Sequence, residues 1–97
     1  MRVIFHPEAR EEFRASVVYY EECVIGLGAD FRREVLAVVQ NILKHPDVWP
    51  DIGGGIRRCL IPRFPYAVLY DTTPEELFIY AVMNLHRHPD YWKRRER

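Results

Sequence analysis

The sequence predicts an α+β domain of order β-α-α-β-β-β: a helical hairpin packed on a small antiparallel sheet. Three observations carry that expectation. Two stretches in the first half place apolar residues three and four apart, the period of a helix face. Three extended apolar stretches follow in the second half. A loop rich in proline and glycine, PDVWPDIGGG at 46–55, divides them. Helices segregated from strands imply two packed layers. Ninety-seven residues suffice for one domain, 1–97, and leave no room for a second core.

Arg2–Phe5 contains the apolar run VIF and is ended by His6-Pro7, which predicts a first strand. Pro7 suits the first helical position, where a missing N–H costs nothing. Glu8, Glu11 and Glu12 crowd the first turns, where the helix dipole favours acids. Ala9, Phe13, Val17, Tyr20 and Val24 mark one face of this helix, and Gly26-Leu27-Gly28 supplies its stop. A second helix is expected from Ala29 or Asp30, with Asp30 as a candidate cap. Its stripe is Phe31, Val35, Val38 and Ile42, widened by Leu36, Val39 and Leu43, and it ends before Pro46. Ile56–Ile61 is the first of the three later strands. Phe64–Asp71 carries Phe64, Tyr66, Val68 and Tyr70 on one side. Leu77–Leu85 is apolar on both faces, as an interior strand covered on both sides would be. Asp71–Glu76 is a hairpin loop, and the last dozen residues form a charged tail containing Tyr91 and Trp92.

Composition excludes several classes. At 48% hydrophobic, 13% aromatic and 29% charged the chain is globular rather than disordered or fibrous. No apolar run approaches the length of a membrane span. The opening MRVIFHPEAREEF lacks a signal-peptide core, so a cytoplasmic location is expected. Fourteen basic residues balance fourteen acidic ones, which argues against a generic, strongly basic nucleic-acid binder. The charge is unevenly placed. Residues 1–50 carry six basic and eight acidic residues, and residues 51–97 carry eight and six. Residues 86–97 hold Arg87, Lys93, Arg94, Arg95 and Arg97 against Asp90 and Glu96, so an anionic partner is expected at this end. Cys23 and Cys59 lie in no CxxC pair, which excludes zinc and redox motifs. They read as two small buried thiols.

Arg57, Arg58, Arg63 and Arg87 lie in or beside the strands. They read either as an anion-binding surface or as solvated arginines, and alternation forbids Arg57 and Arg58 from sharing a face. His86-Arg87-His88 has no Asp, Glu or Cys at a matching metal-ligand spacing, so neither a metal nor a cofactor is expected. His86 could act as a general acid or base with Arg87 stabilising developing charge, or be an ordinary surface histidine. Tyr66, Tyr70 and Tyr80 read as core, whereas Tyr91 and Trp92 either pin the tail to the sheet or touch a partner. Gly53-Gly54-Gly55 lacks the lysine and hydroxyl residue of a phosphate-cradling loop. Ser16, the one serine, lies mid-helix and forms no nucleophile arrangement.

The ordered motifs say more: FHPEA at 5–9, YYEE at 19–22, GLG at 26–28, HPDVWP at 45–50, GGGIRRCL at 53–60, RFPYAVLY at 63–70 and HRHPDYWKRR at 86–95. Across essentially the whole chain this run resembles the ParE/RelE superfamily of type II toxins, most closely its ParE-like branch. The resemblance implies the fold described above and a cognate antitoxin that wraps an extended segment and a helix around the toxin. ParE-like members bind and poison DNA gyrase without chemistry of their own. RelE-like members cut mRNA on the ribosome without a metal. In the nuclease branch an arginine often follows the tyrosine of a central strand, and here Ala67 follows Tyr66. Arg87 and Tyr91 or Trp92 match the basic and aromatic C-terminal positions of that branch. Within the resemblance, Ala67 and the neutral net charge favour a gyrase binder, and by charge alone Arg57, Arg63, Arg87, Lys93, Arg94 and Arg95, with Trp92, are expected to face the partner. The alternatives are a ribosome-dependent endoribonuclease using Arg87, Arg58, His86 and Tyr91, and an inactive antitoxin-binding relic.

Overall fold

A computed structural model describes residues 1–97. The elements are β1 (Arg2–Phe5), α1 (Pro7–Cys23), α2 (Leu27–Lys44), β2 (Arg57–Leu60), β3 (Tyr66–Thr72) and β4 (Glu76–Asn84), in the order the sequence predicts. No helix is long and apolar enough to cross a membrane.

The sheet order is β1-β4-β3-β2. β2, β3 and β4 are antiparallel neighbours, but β1 runs parallel to β4, so the sheet is mixed rather than wholly antiparallel. The cause is the connection. The two helices carry the chain from one edge of the sheet to the other, and two reversals through β3 bring β4 back beside β1.

Pro7 opens α1, and the Nδ1 of His6 accepts a 3.0 Å bond from the Glu8 N–H. Ala9 is buried, Phe13, Val17 and Tyr20 pack against the core, and Val24 lies past the helix end in extended backbone and is exposed. α2 starts at Leu27, earlier than expected, and Asp30 is not its cap. Glu21 of α1 takes that role: its carboxylate accepts from the N–H groups of Gly26 at 2.9 Å and Gly28 at 3.1 Å. Asp30 pairs instead with Arg33 and Arg63. Gly28 is no stop signal either. A Cβ there would lie 2.4 Å from the Val17 carbonyl, so the glycine lets the two helices touch.

The main core lies between the helices and one sheet face. Phe31, Val35, Val38, Val39 and Ile42 of α2 meet Tyr66, Val68, Tyr70, Leu77, Ile79 and Val82. Burying a side chain such as Phe31 is worth about 1.5–3 kcal/mol. Phe31 also packs on Phe64 and Tyr66 at centroid distances of 5.1 and 4.8 Å. The opposite face carries a smaller cluster of Ile56, Ala67, Leu69, Ala81, Met83 and Trp92. β4 is thus covered on both sides, as its composition predicts. Its pattern is offset by a bulge: Leu69 faces Ala81 while Tyr70 faces Ile79, which leaves Tyr80 as an extra residue. Leu77 and Ile79 before the bulge, and Val82 after it, therefore all face the helices. Cys59 is buried, but Cys23 is exposed at the end of α1, against expectation.

Candidate functional site

β1 pairs with β4 only as far as Phe5 opposite Ile79. Beyond that point β4 continues without a strand on that side, and its backbone polar groups need other partners. Glu12 of α1 and Arg95 of the C-terminal segment supply them. Val82 N–H donates to Glu12 Oε1 at 3.1 Å, and Arg95 Nη1 donates to the Tyr80 carbonyl at 2.9 Å.

Glu12 is the hub of this region, with a side chain only 14% exposed. The Tyr91 hydroxyl donates to its Oε2 at 2.5 Å. Arg95 donates to both carboxylate oxygens, at 3.1 and 2.8 Å, and reaches Glu8 at 3.0 Å. Arg87 lies 3.6 Å from Oε2 and stacks over the Tyr91 ring, 3.8 Å from its centroid. Burial and then the Glu12 bond raise the pKa of Tyr91 well above the ordinary tyrosine range. Burial acts to lower that of Arg95, and the Glu12 bond outweighs it in the upward direction. The Tyr91 hydroxyl is accordingly a donor already committed to Glu12, not a base.

A cleft of about 190 Å³ lies beside this cluster, lined in part by Glu12, Ser16, Tyr66, Asn84, Arg87 and Tyr91. Ser16 donates to the Tyr66 hydroxyl at 3.0 Å. A neighbouring cleft of about 350 Å³ shares Tyr66 and Asn84 and adds Tyr19, Tyr20, Pro65 and His86. Burial and then the neighbouring Tyr66 push Tyr20 up to about 12, so it too stays protonated. His86 is exposed at the rim, its N–H bonded to the Asn84 side chain at 2.9 Å.

The remaining residues singled out in the sequence do not converge here. Arg58 lies on the edge strand β2 opposite Leu69, on the sheet face away from the helices, and lines neither cleft. Arg57 is half-buried and donates to the Trp49 and Asp47 carbonyls, at 2.6 and 3.3 Å, holding the 46–50 loop against β2. Arg63, in left-handed backbone at φ 72°, pairs with Asp30 and Glu34 of α2. Trp92 is 6% exposed and closes the second core cluster, so it pins the tail to the sheet. Arg95, with a side chain 7% exposed, ties the tail to α1. Lys93 is exposed and pairs with Asp90 at 3.0 Å, and Arg94 is exposed with no ion pair. Ala67 is fully buried beneath the second cluster. No three His, Cys, Asp or Glu side chains group as a metal site requires. Sequence reasoning missed Glu12, Ser16 and Asn84. The available signal was Glu8 and Glu12, one helical turn apart beside the buried Ala9, facing a basic tail.

Neither a protein-family model nor a curated protein matches the sequence. Among solved structures, the chain is similar to one from the chromosomal ParDE TA system from P. aeruginosa. The TM-score is 0.63 at 17% identity, over 89% of this chain and 97% of that one. The likeness is one of fold, which in this chain is two helices on a four-stranded sheet.

Proposed function

We propose that this chain is the toxin of a type II toxin–antitoxin pair, that it acts in the cytoplasm by binding and inhibiting DNA gyrase, and that a cognate antitoxin neutralises it. The toxin assignment rests on the fold shared with a ParDE chain together with the ordered motifs. The choice of binding over catalysis rests on one observation: a carboxylate, Glu12, occupies the middle of the basic and aromatic cluster. A ribonuclease needs free cations around the scissile phosphate and a group to activate the 2′-hydroxyl. Here Arg95 and Tyr91 are bonded to Glu12, Arg87 is beside it, and Arg58 is on the other sheet face. Arg87, Lys93 and Arg94 are the cations with exposed side chains at this end, and they are the proposed gyrase-facing set.

For the antitoxin, the cleft between the helices is the proposed seat of a helical segment. Phe13, Val17 and Val18 line it, and Arg14 and Arg32 flank it. That arrangement suits an apolar helix face edged by acids.

The test is inhibition of supercoiling by purified gyrase. The wild-type chain should inhibit. Replacing Arg87, Lys93 and Arg94 together with alanine should raise the inhibitory concentration about tenfold, the scale of three rim charges. No inhibition of supercoiling, combined with mRNA cleavage in a translating extract, would favour the nuclease.

A further inference from the structure

We propose that the C-terminal segment 86–97 is a strap, locked by Glu12, that opens independently of the rest of the fold. This inference does not depend on the toxin assignment.

The way the strap is attached supports it. Four of its backbone N–H groups bond locally: Arg87 to Asn84, Tyr91 to His88, Lys93 to Asp90 and Arg95 to Trp92. No backbone–backbone bond joins residues 86–97 to β1, β3 or either helix. Side chains hold it, and half of their polar ties meet at one carboxylate. Glu12 takes the Tyr91 hydroxyl, both terminal nitrogens of Arg95 and the ion pair with Arg87. What remains is Arg95 with Glu8 and the Tyr80 carbonyl, Arg97 with Asp71 and Glu76, and Trp92 in the smaller cluster. Attachment through a few side chains, with no shared backbone ladder, marks a unit that can open locally at less than the global unfolding free energy. Opening would bare the Tyr80 carbonyl on the free edge of β4 and would release Arg87, Tyr91 and Arg95 together, while the Val82 N–H stays bonded to Glu12 of α1.

The test follows Trp92 in the full chain, in a Trp49→Phe background so that a single indole reports. Trp92 bonds to the Pro89 carbonyl and packs on Tyr80 rather than on Glu12, so its exposure is not a trivial result of removing the carboxylate. Glu12→Ala should make Trp92 several-fold more accessible to acrylamide. It should also speed tryptic cleavage after Lys93 and Arg94 at least tenfold. The amides of Val68 and Val39, in the main core, should stay protected under the same conditions. Tyr91→Phe should move the same readouts in the same direction by less. Two outcomes would overturn the proposal. If Trp92 stays as shielded as in the parent, Glu12 is not the lock. If Trp92 accessibility and Val68 exchange rise in step, strap and core open only together.

Discussion

The Tyr91 hydroxyl and the Glu12 carboxylate, 79 residues apart in the chain, meet at 2.5 Å. The pair joins the first helix to the C-terminal segment where β1 ends and β4 continues with no strand on that side. A bond from a neutral donor to a partly buried carboxylate contributes about 1.5–3 kcal/mol. Tyr91→Phe keeps the ring under Arg87 and removes only that donor. Urea unfolding should show a loss of about that size with an unchanged m-value.

Alkaline pH should weaken the fold. Burial, the first cause in each case, raises the pKa of Tyr70 to about 12 and that of Tyr91 further, with Glu12 adding to the latter. A tyrosine raised in the folded state releases its proton more readily when unfolded. Its contribution is therefore complete below pH about 10, the ordinary tyrosine value, and is lost as pH rises through the folded value. Urea midpoints should be flat with respect to tyrosine ionisation between pH 8 and 9 and fall from pH 10 upward. In Tyr91→Phe the fall should be shallower. An equally steep fall would mean that Tyr91 is not held protonated by its surroundings.

Gly28→Ala should cost more than its chemistry suggests. The new methyl would meet the Val17 carbonyl at 2.4 Å and Glu21 Cβ at 2.9 Å, and backbone cannot move aside cheaply. The helices must splay and disturb the Glu21 cap, at about 1–3 kcal/mol. Gly54→Ala meets no atom within 4 Å, and its φ of 64° makes the cost the backbone conformation, about 1 kcal/mol. Thermal denaturation of the two variants should rank them in that order.

Trp92 and Arg94, two residues apart, should behave oppositely. Trp92→Ala removes the strap's anchor in the second core cluster, and the loss, at most about 3–5 kcal/mol, is bounded by the free energy of opening the strap. Arg94→Ala touches an exposed, unpaired side chain and should stay within about 0.5 kcal/mol of the parent. Urea titrations of both variants would check this.

The element order and most of the core were legible because they rest on local periodicity. The α2 stripe of Phe31, Val35, Val38 and Ile42 is buried as its spacing predicts. Phe64, Tyr66, Val68 and Tyr70 share one cluster. The parts that were not legible are set by distant partners. Parallel pairing of β1 with β4 depends on where the chain returns after some seventy residues, and no local pattern encodes that. The extra residue at Tyr80 hides in a run that is apolar on both faces. Gly28 looked like a turn residue because a close helix approach and a helix stop call for the same amino acid. At the candidate site, Arg87 and Tyr91 were legible as the basic and aromatic positions after the last strand that the resemblance singles out. Glu12 was not, because one acid among three near a helix start is explained by the dipole alone. Trp92 and Arg95 sat in a charged stretch with no periodicity, and only the uncovered face of β4 explains their burial.

The most direct measurement is pulse labelling of bacteria in which the chain is induced without an antitoxin, with DNA and protein synthesis followed separately. A gyrase-binding toxin predicts that DNA synthesis falls first and that Tyr91→Phe, if it remains folded, does not abolish the effect. Protein synthesis falling first, with mRNA cut within codons, would contradict it and make Arg87 a catalytic candidate. If neither synthesis falls, the toxin assignment itself fails.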